Sequence, residues 1–185
     1  MTGGSMLHFG LFAGATFPTG ALGDQAGTGF NVGGLVTYQS PDWPVSFRGD
    51  VAYHGFSGKN NSLAGTTVNY KPKIINGTAN AVYMFSHDPA QSMHPYIIGG
   101  LGIYNLRASS SCSGTYCTDG TTDSGGSSTK FGVNGGGGVE FPLSGFAAFV
   151  EARYHHVFSA YDSNGSSGNK SSAGMIPLSF GIIFR

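Results

Sequence analysis

Apolar and polar positions alternate with a period of two in eight stretches of the chain, the mark of strands whose two faces meet different surroundings. From Leu7 to Phe17, one face carries Leu7, Phe9, Leu11, Ala13, Ala15 and Phe17, and the other His8, Gly10, Phe12, Gly14 and Thr16. The same reading holds for Phe30–Tyr38, Val45–Tyr53, Ile75–Phe85, Phe131–Phe141, Phe146–Tyr154 and Ile176–Phe184. The stretch Tyr96–Leu106 is apolar on both faces; the row Tyr96, Ile98, Gly100, Gly102, Tyr104, Leu106 is taken as its counterpart. None of the eight apolar rows contains a charged residue; the charges within the strands fall on the opposite face. About ten residues is also the length a tilted strand needs to cross a bilayer.

The connections alternate in length. Pro18–Gly29, Ser57–Ile74, Ala108–Lys130 and Phe158–Gly174 are long and polar, whereas Ser40–Pro44 and Pro142–Gly145 are short and Ser86–Pro95 is intermediate. Sorting of short turns to one end and long loops to the other is characteristic of outer-membrane barrels. Aromatic residues sort by end as well. Tyr38, Trp43, Phe47, Tyr83, Phe85, Tyr96, Phe141, Phe146 and Phe184 fall at the short-turn ends, and Phe17, Phe30, Tyr53, Tyr104, Phe131 and Tyr154 at the long-loop ends. Two aromatic girdles around an aliphatic band match the two water–lipid interfaces. The pattern therefore predicts an all-β fold, an eight-stranded antiparallel up-and-down transmembrane barrel over residues 6–185, with residues 1–5 as a linker.

Composition supports this and removes other classes. Charged residues make up only 10% of the 185, Gly contributes 32, and nine basic side chains balance nine acidic ones. That balance gives no electrostatic case for nucleic acid, and the glycine content disfavours long helices. No apolar run is long enough for a spanning helix. A soluble ligand-carrying barrel would need charges outside and an apolar interior, the reverse of the distribution here. The glycines at 99, 100, 102 and 135–138 lack the Lys-Ser/Thr pair and following helix of a phosphate loop, and fit strand curvature instead.

A spanning sheet must satisfy its own backbone and so closes, and eight strands leave a lumen that side chains can fill. The inward rows hold Arg48, Asp50, Lys130, Glu140, Glu151 and Arg153, three of each sign, and these are expected to pair as a lumen network. Cys112 and Cys117, the two cysteines, are expected to form a local disulfide in an oxidising compartment. No cofactor or metal site is implied; His8, His54, His87 and His94 are dispersed.

Three stretches, Pro95–Gly102 (PYIIGGLG), Gly135–Pro142 (GGGGVEFP) and Ile176–Phe184 (IPLSFGIIF), resemble those of the small eight-stranded outer-membrane barrels of Gram-negative bacteria, the OmpA transmembrane-domain and OmpX type. The last is similar to the C-terminal signal read by the barrel-assembly machinery, with Arg185 following the usual terminal aromatic. The resemblance implies outer-membrane lipids as surroundings, assembly-machinery contact during biogenesis, a monomer, and periplasmic termini. It also implies a non-enzymatic role in envelope integrity or surface interaction through four outer loops. Two alternatives are a narrow, low-conductance pore and a lipid A deacylase-like enzyme. The second rests on His155, His156 and Ser159 near the end of the seventh strand, although His156 and Ser159 point to opposite faces unless the strand bulges, and Asp162 is the only nearby acid.

Overall fold

The computed structural model describes residues 6–40, 43–58, 60–63, 66–86, 91–114, 127–162 and 170–184. Eight long strands form the wall: β1 (Met6–Gly20), β2 (Ala26–Gln39), β3 (Val45–Gly58), β5 (Thr66–Met84), β6 (His94–Gly114), β7 (Ser128–Leu143), β8 (Phe146–Asp162) and β9 (Lys170–Phe184). The short β4 (Asn60–Leu63) pairs with β5 through Asn60↔Asn69 to Leu63↔Thr66, beyond the barrel proper. Every wall strand is antiparallel to its sequence neighbour, β3 pairs directly with β5, and β1 pairs with β9. The sheet is thereby closed, and the wall strands expose no pairing edge along their shared registers.

At one end the connections are tight. Ser144 and Gly145 join β7 to β8, with Gly145 at φ 86°, a conformation glycine adopts without a Cβ clash. Trp43 N–H donates to Ser40 O at the β2–β3 turn, and Phe85 N–H to Pro95 O at the β5–β6 connection. At the other end β5 and β6 run on well past the apolar stretch, to Thr66 and Gly114. Much of what reads as loop in the sequence is therefore strand: the run Ala108–Gly114 (ASSSCSG), for one, has no apolar/polar alternation to announce it. The Pro18–Gly29 connection likewise contains a short helix, α1 (Ala21–Gln25).

The distribution of side chains is inside out. Phe9, Leu11, Val32, Val51, Phe131 and Phe180 are exposed on the outer wall, while Arg48, Asp50, Glu151 and Arg153 are buried in the lumen. In seven of the eight strands the apolar row is the outer one, as the alternation predicts. Strand β6 departs from its expected parity. Ile97, Leu101 and Ile103 face outward, whereas Tyr96, Ile98 and Tyr104 are buried inside. Both of its faces are apolar, so alternation carries no information there. Pairing decides: Val82↔Ile98 and Asn76↔Tyr104 align β6 residues with lumen residues of β5.

Lumen glycines make room for these rings. A Cβ on Gly138 would lie 2.6 Å from the ring and hydroxyl of Tyr96, and one on Gly132 would lie 2.8 Å from the ring of Tyr104. Phe149 lies in the same way across Gly181. Glycine in a strand otherwise weakens it, and close approach of another group is one of its recurrent uses.

Candidate functional site

The lumen is filled at mid-height by a ring of charge. Arg48 and Asp50 rise from β3, and Glu151 and Arg153 from β8, each pair two residues apart and therefore on one face. Arg48 Nε donates to Asp50 Oδ1 at 2.7 Å, and its Nη1 to Glu151 Oε2 at 3.0 Å. Arg153 Nε donates to Glu151 Oε1 at 2.6 Å, and its Nη1 to Asp50 Oδ2 at 3.1 Å. Each guanidinium thus bridges both carboxylates, and each carboxylate is shared by both guanidinium groups. The four side chains are only 2–6% exposed.

Neutral donors complete the coordination. Tyr96 Oη donates to Glu151 Oε2 at 2.8 Å, Asn80 Nδ2 to Asp50 Oδ2 at 2.6 Å, and Thr78 Oγ1 to the same oxygen at 3.3 Å. Asn134 Nδ2 donates to Asn80 Oδ1 at 2.9 Å, carrying the network to β7, and the Arg48 guanidinium lies 5.1 Å from the Phe149 ring centre. A buried charge is tolerated when it is paired and its remaining lone pairs and protons are met. The cavities beside the ring hold about 30 Å³ on the short-turn side and about 10 Å³ on the long-loop side. The larger is the size of about one water molecule.

Two further layers lie above the ring. In the first, Ser179 Oγ donates to Asn31 Oδ1, Asn31 Nδ2 to Thr16 Oγ1, Thr16 Oγ1 pairs with His54 Nδ1 at 3.0 Å, and His54 Nε2 pairs with Asn76 Oδ1 at 2.9 Å. The amide oxygen of Asn76 can only accept, so His54 carries its proton on Nε2 and accepts from Thr16 on Nδ1. Beside it Tyr104 Oη pairs with His155 Nδ1 at 2.8 Å. The second layer is apolar. Leu22 of α1 packs with Phe56, Ile74, Val157 and Met175 to cap the long-loop end.

The structure brings together four of the six charged residues expected in the network. Glu140 and Lys130, ten residues apart on β7, lie at different heights, about 33 Å from each other along the strand, and each makes interactions of its own. Glu140 is buried and lines the small lower cavity with Arg48 and Tyr96; Lys130 lies opposite Tyr104, near the other end. Of the expected girdle, Tyr38, Trp43, Phe47, Tyr83, Phe85, Phe146 and Phe184 are exposed on the outer wall, and Phe141 is half-buried. Tyr96 is corrected: it is 4% exposed and bonded to Glu151 in the lumen, as is Tyr104 at the far end, buried beside His155. The shifted parity of β6 causes both. Sequence reasoning also missed Asn80, Thr78 and Asn134 as partners of the ring; the available signal was the place of all three on inward rows, Asn80 and Thr78 directly opposite Arg48 and Asp50 and Asn134 on β7. Cys112 lies in β6 opposite Val68, and Cys117 and residues 1–5 fall outside the described residues, so the expected disulfide and linker lie outside them too.

His156 is on the outer wall, half-buried between Tyr154 and Phe158, with ring centres at 6.3 and 5.0 Å. The β8–β9 register shifts between Val157 and Tyr161, so the strand is irregular at Ser159. The side chain of Ser159 lies outside the described residues. Among the described residues no group of three or more His, Cys, Asp or Glu is placed to hold a metal ion.

No family model matches the chain, and no curated protein matches it. Solved structures do. Neisserial surface protein A superposes with a TM-score of 0.61 at 18% identity, over 98% of this chain and 99% of that one. A major outer membrane protein from Thermus thermophilus gives 0.62 at 16% identity, over 97% and 98%. The outer membrane enzyme PagL gives 0.50 at 19% identity, over 96% and 98%. With its closed wall of eight antiparallel strands, its apolar exterior and this likeness, the chain has the fold of the small eight-stranded outer-membrane β-barrels.

Proposed function

We propose that the protein is a non-enzymatic barrel of the bacterial outer membrane, with its long loops outside and both termini in the periplasm. It acts through its surfaces, in envelope integrity or contact with other molecules, and not by conduction. One observation carries this reading: the Arg48–Asp50–Arg153–Glu151 ring fills the lumen and leaves cavities of about 30 and 10 Å³ beside it. An ion would have to break several charge-assisted bonds to pass. The test is reconstitution in planar bilayers. The expected result is no large, steady single-channel current, and such a current at single-protein dilution refutes the reading. Protease added to intact cells tests orientation, with cleavage expected in the long loops and not at the 85–93 connection.

A lipid-modifying enzyme is the second reading. It is favoured by the strand irregularity beside Ser159, which removes the strict rule that residues three apart face opposite ways, and by His156 facing the lipid side. PagL shares the fold and is an enzyme. Against this, the neighbours of His156 in the register and in ring contact are Val133, Gly174, Tyr154 and Phe158, none of them an acid that could orient a base. Expression with His156→Ala is expected to leave lipid A acylation as in the wild type; a change that follows the substitution establishes the enzymatic reading instead.

A further inference from the structure

The outer wall is not evenly covered. On the β2–β3–β5–β6 face an open groove of about 850 Å³ lies between walls that include Leu11, Leu101 and Phe131, and a second depression of about 520 Å³ continues it toward the short-turn end. Along the outward row of β5 the order from the long-loop end is Lys73, Ile75, Gly77, Ala79, Ala81, Tyr83. The floor is thus small in the middle, and Gly49 on β3, opposite Ala79, widens it.

These outward glycines differ from those of the lumen. A Cβ on Gly77 would meet nothing closer than Ile103 at 3.9 Å, and one on Gly49 nothing closer than Val36 at 3.5 Å. The packing of the barrel therefore does not require glycine at either position.

A charged pair lies beyond the long-loop end of the groove, four residues from Gly77 along β5. Lys73 and Arg107 are directly opposed in the β5–β6 register, and both are exposed on the outer wall. Side chains so opposed have backbones about 5 Å apart. Their row also contains Phe30 and Gly55, and a cavity of about 230 Å³ opens there between Phe30, Tyr53, Gly55 and Lys73. Arg107 Nε donates to Asn105 Oδ1 at 2.9 Å, which holds the guanidinium fork on this face. The pair lies just above the aromatic residues Tyr53 and Phe131 and above the apolar band, where an aromatic girdle meets headgroups. Like charges directly opposed repel, so the pair is best accommodated by an anion between them.

We infer that this face binds an acylated lipid whose headgroup carries a phosphate monoester, with the phosphate between Lys73 and Arg107 and an acyl chain along the groove over Gly77 and Ala79. Two cations match the near-dianionic charge of such a phosphate. A second copy of the chain would bring its own apolar wall to the groove and would leave the cationic pair unanswered. The inference goes beyond the proposed function and does not depend on which end of the barrel faces outward, since it is tested on purified protein.

The experiment measures binding of bisphosphorylated hexa-acyl lipid A, and of the same glycolipid with both phosphates removed, to the folded barrel in detergent by native mass spectrometry. Wild type is expected to prefer the phosphorylated form by about tenfold or more, the scale of one charge-assisted contact. Lys73→Gln with Arg107→Gln is expected to abolish that preference, and Gly77→Leu to weaken both lipids severalfold by filling the groove. Migration on a gel before and after boiling confirms that each variant is folded. No preference in wild type, a preference that survives the double substitution, or lipid binding indifferent to Gly77→Leu overturns the inference. So does full competition by millimolar inorganic phosphate, which would reveal an anion site indifferent to acyl chains.

Discussion

Truncating one member of the charge ring gives a quantitative test of the lumen. Glu151→Ala removes the acceptor of Arg48 Nη1 at 3.0 Å, of Arg153 Nε at 2.6 Å and of Tyr96 Oη at 2.8 Å, at a site whose side chain is 2% exposed. Each guanidinium keeps a bond to Asp50, so neither is wholly orphaned. Two cations then share one anion in a water-poor lumen. Breaking a buried pair by removing one partner costs about 3–5 kcal/mol, and the surviving Asp50 contacts put the expectation toward the lower end of that range. The assay is reversible urea unfolding in phospholipid vesicles, followed by the mobility difference between boiled and unboiled samples. Arg153→Ala supplies the second arm of a double-mutant cycle. The double variant removes one charge of each sign and leaves Arg48 with Asp50, so it is expected to be less destabilised than the sum of the singles by at least about 1 kcal/mol. A cost below about 1 kcal/mol for Glu151→Ala, or strict additivity with Arg153→Ala, would refute the claim that the ring is a coupled, desolvated unit.

Other expectations follow from the same geometry. Tyr96→Phe removes a single donor to Glu151 and should lower stability by about 1–2 kcal/mol in the same urea assay, which an outward Tyr96 would not. Gly138→Val should destabilise by about 1–3 kcal/mol, because its Cβ meets the Tyr96 ring at 2.6 Å, whereas Gly77→Val, in open space, should be neutral or mildly stabilising; equal effects would contradict the assignment of inner and outer faces. Paired replacement of Arg48 and Arg153 by Ala should open the lumen and produce bilayer current events absent from wild type; silence in the bilayer would show that other residues block the path. Trp43, the sole tryptophan, is 56% exposed at the short-turn rim and should be quenched by headgroup-level quenchers more than by those at the bilayer centre.

How much of this was legible in the sequence depends on whether a strand's two faces meet different surroundings. Where they do, as in β3 with Phe47 and Val51 outside and Arg48 and Asp50 inside, alternation assigns both the strand and its orientation. In β6 a lumen Ile98 and a lipid-facing Ile97 are chemically alike, and only pairing with β5 fixes which is which. Past the apolar band, Ala108–Gly114 (ASSSCSG) carries no apolar/polar alternation and reads as a loop although it is strand, whereas Thr66–Pro72 keeps only a short alternation in Val68 and Tyr70. The ring was legible as a set of inward charges at similar height on β3 and β8, but its neutral members were not. Asn80 and Thr78 become partners through the β3–β5 register that sets them opposite Arg48 and Asp50, and Tyr96 only once the curvature of the closed wall has carried β6 round to face Glu151.

The seam between β1 and β9 has a consequence for how the barrel comes into being. Phe9 pairs with Phe184 and Gly20 with Ala173, so the first and last strands of the barrel zip directly against each other. Closing a loop that long is entropically demanding and slow, and it waits until β9 has been synthesised. Until then the first and last strands each present an unmet row of amides. A chain that lacks β9 is therefore an open ribbon with two unpaired edges, β1 and β8, which lose their backbone partners together.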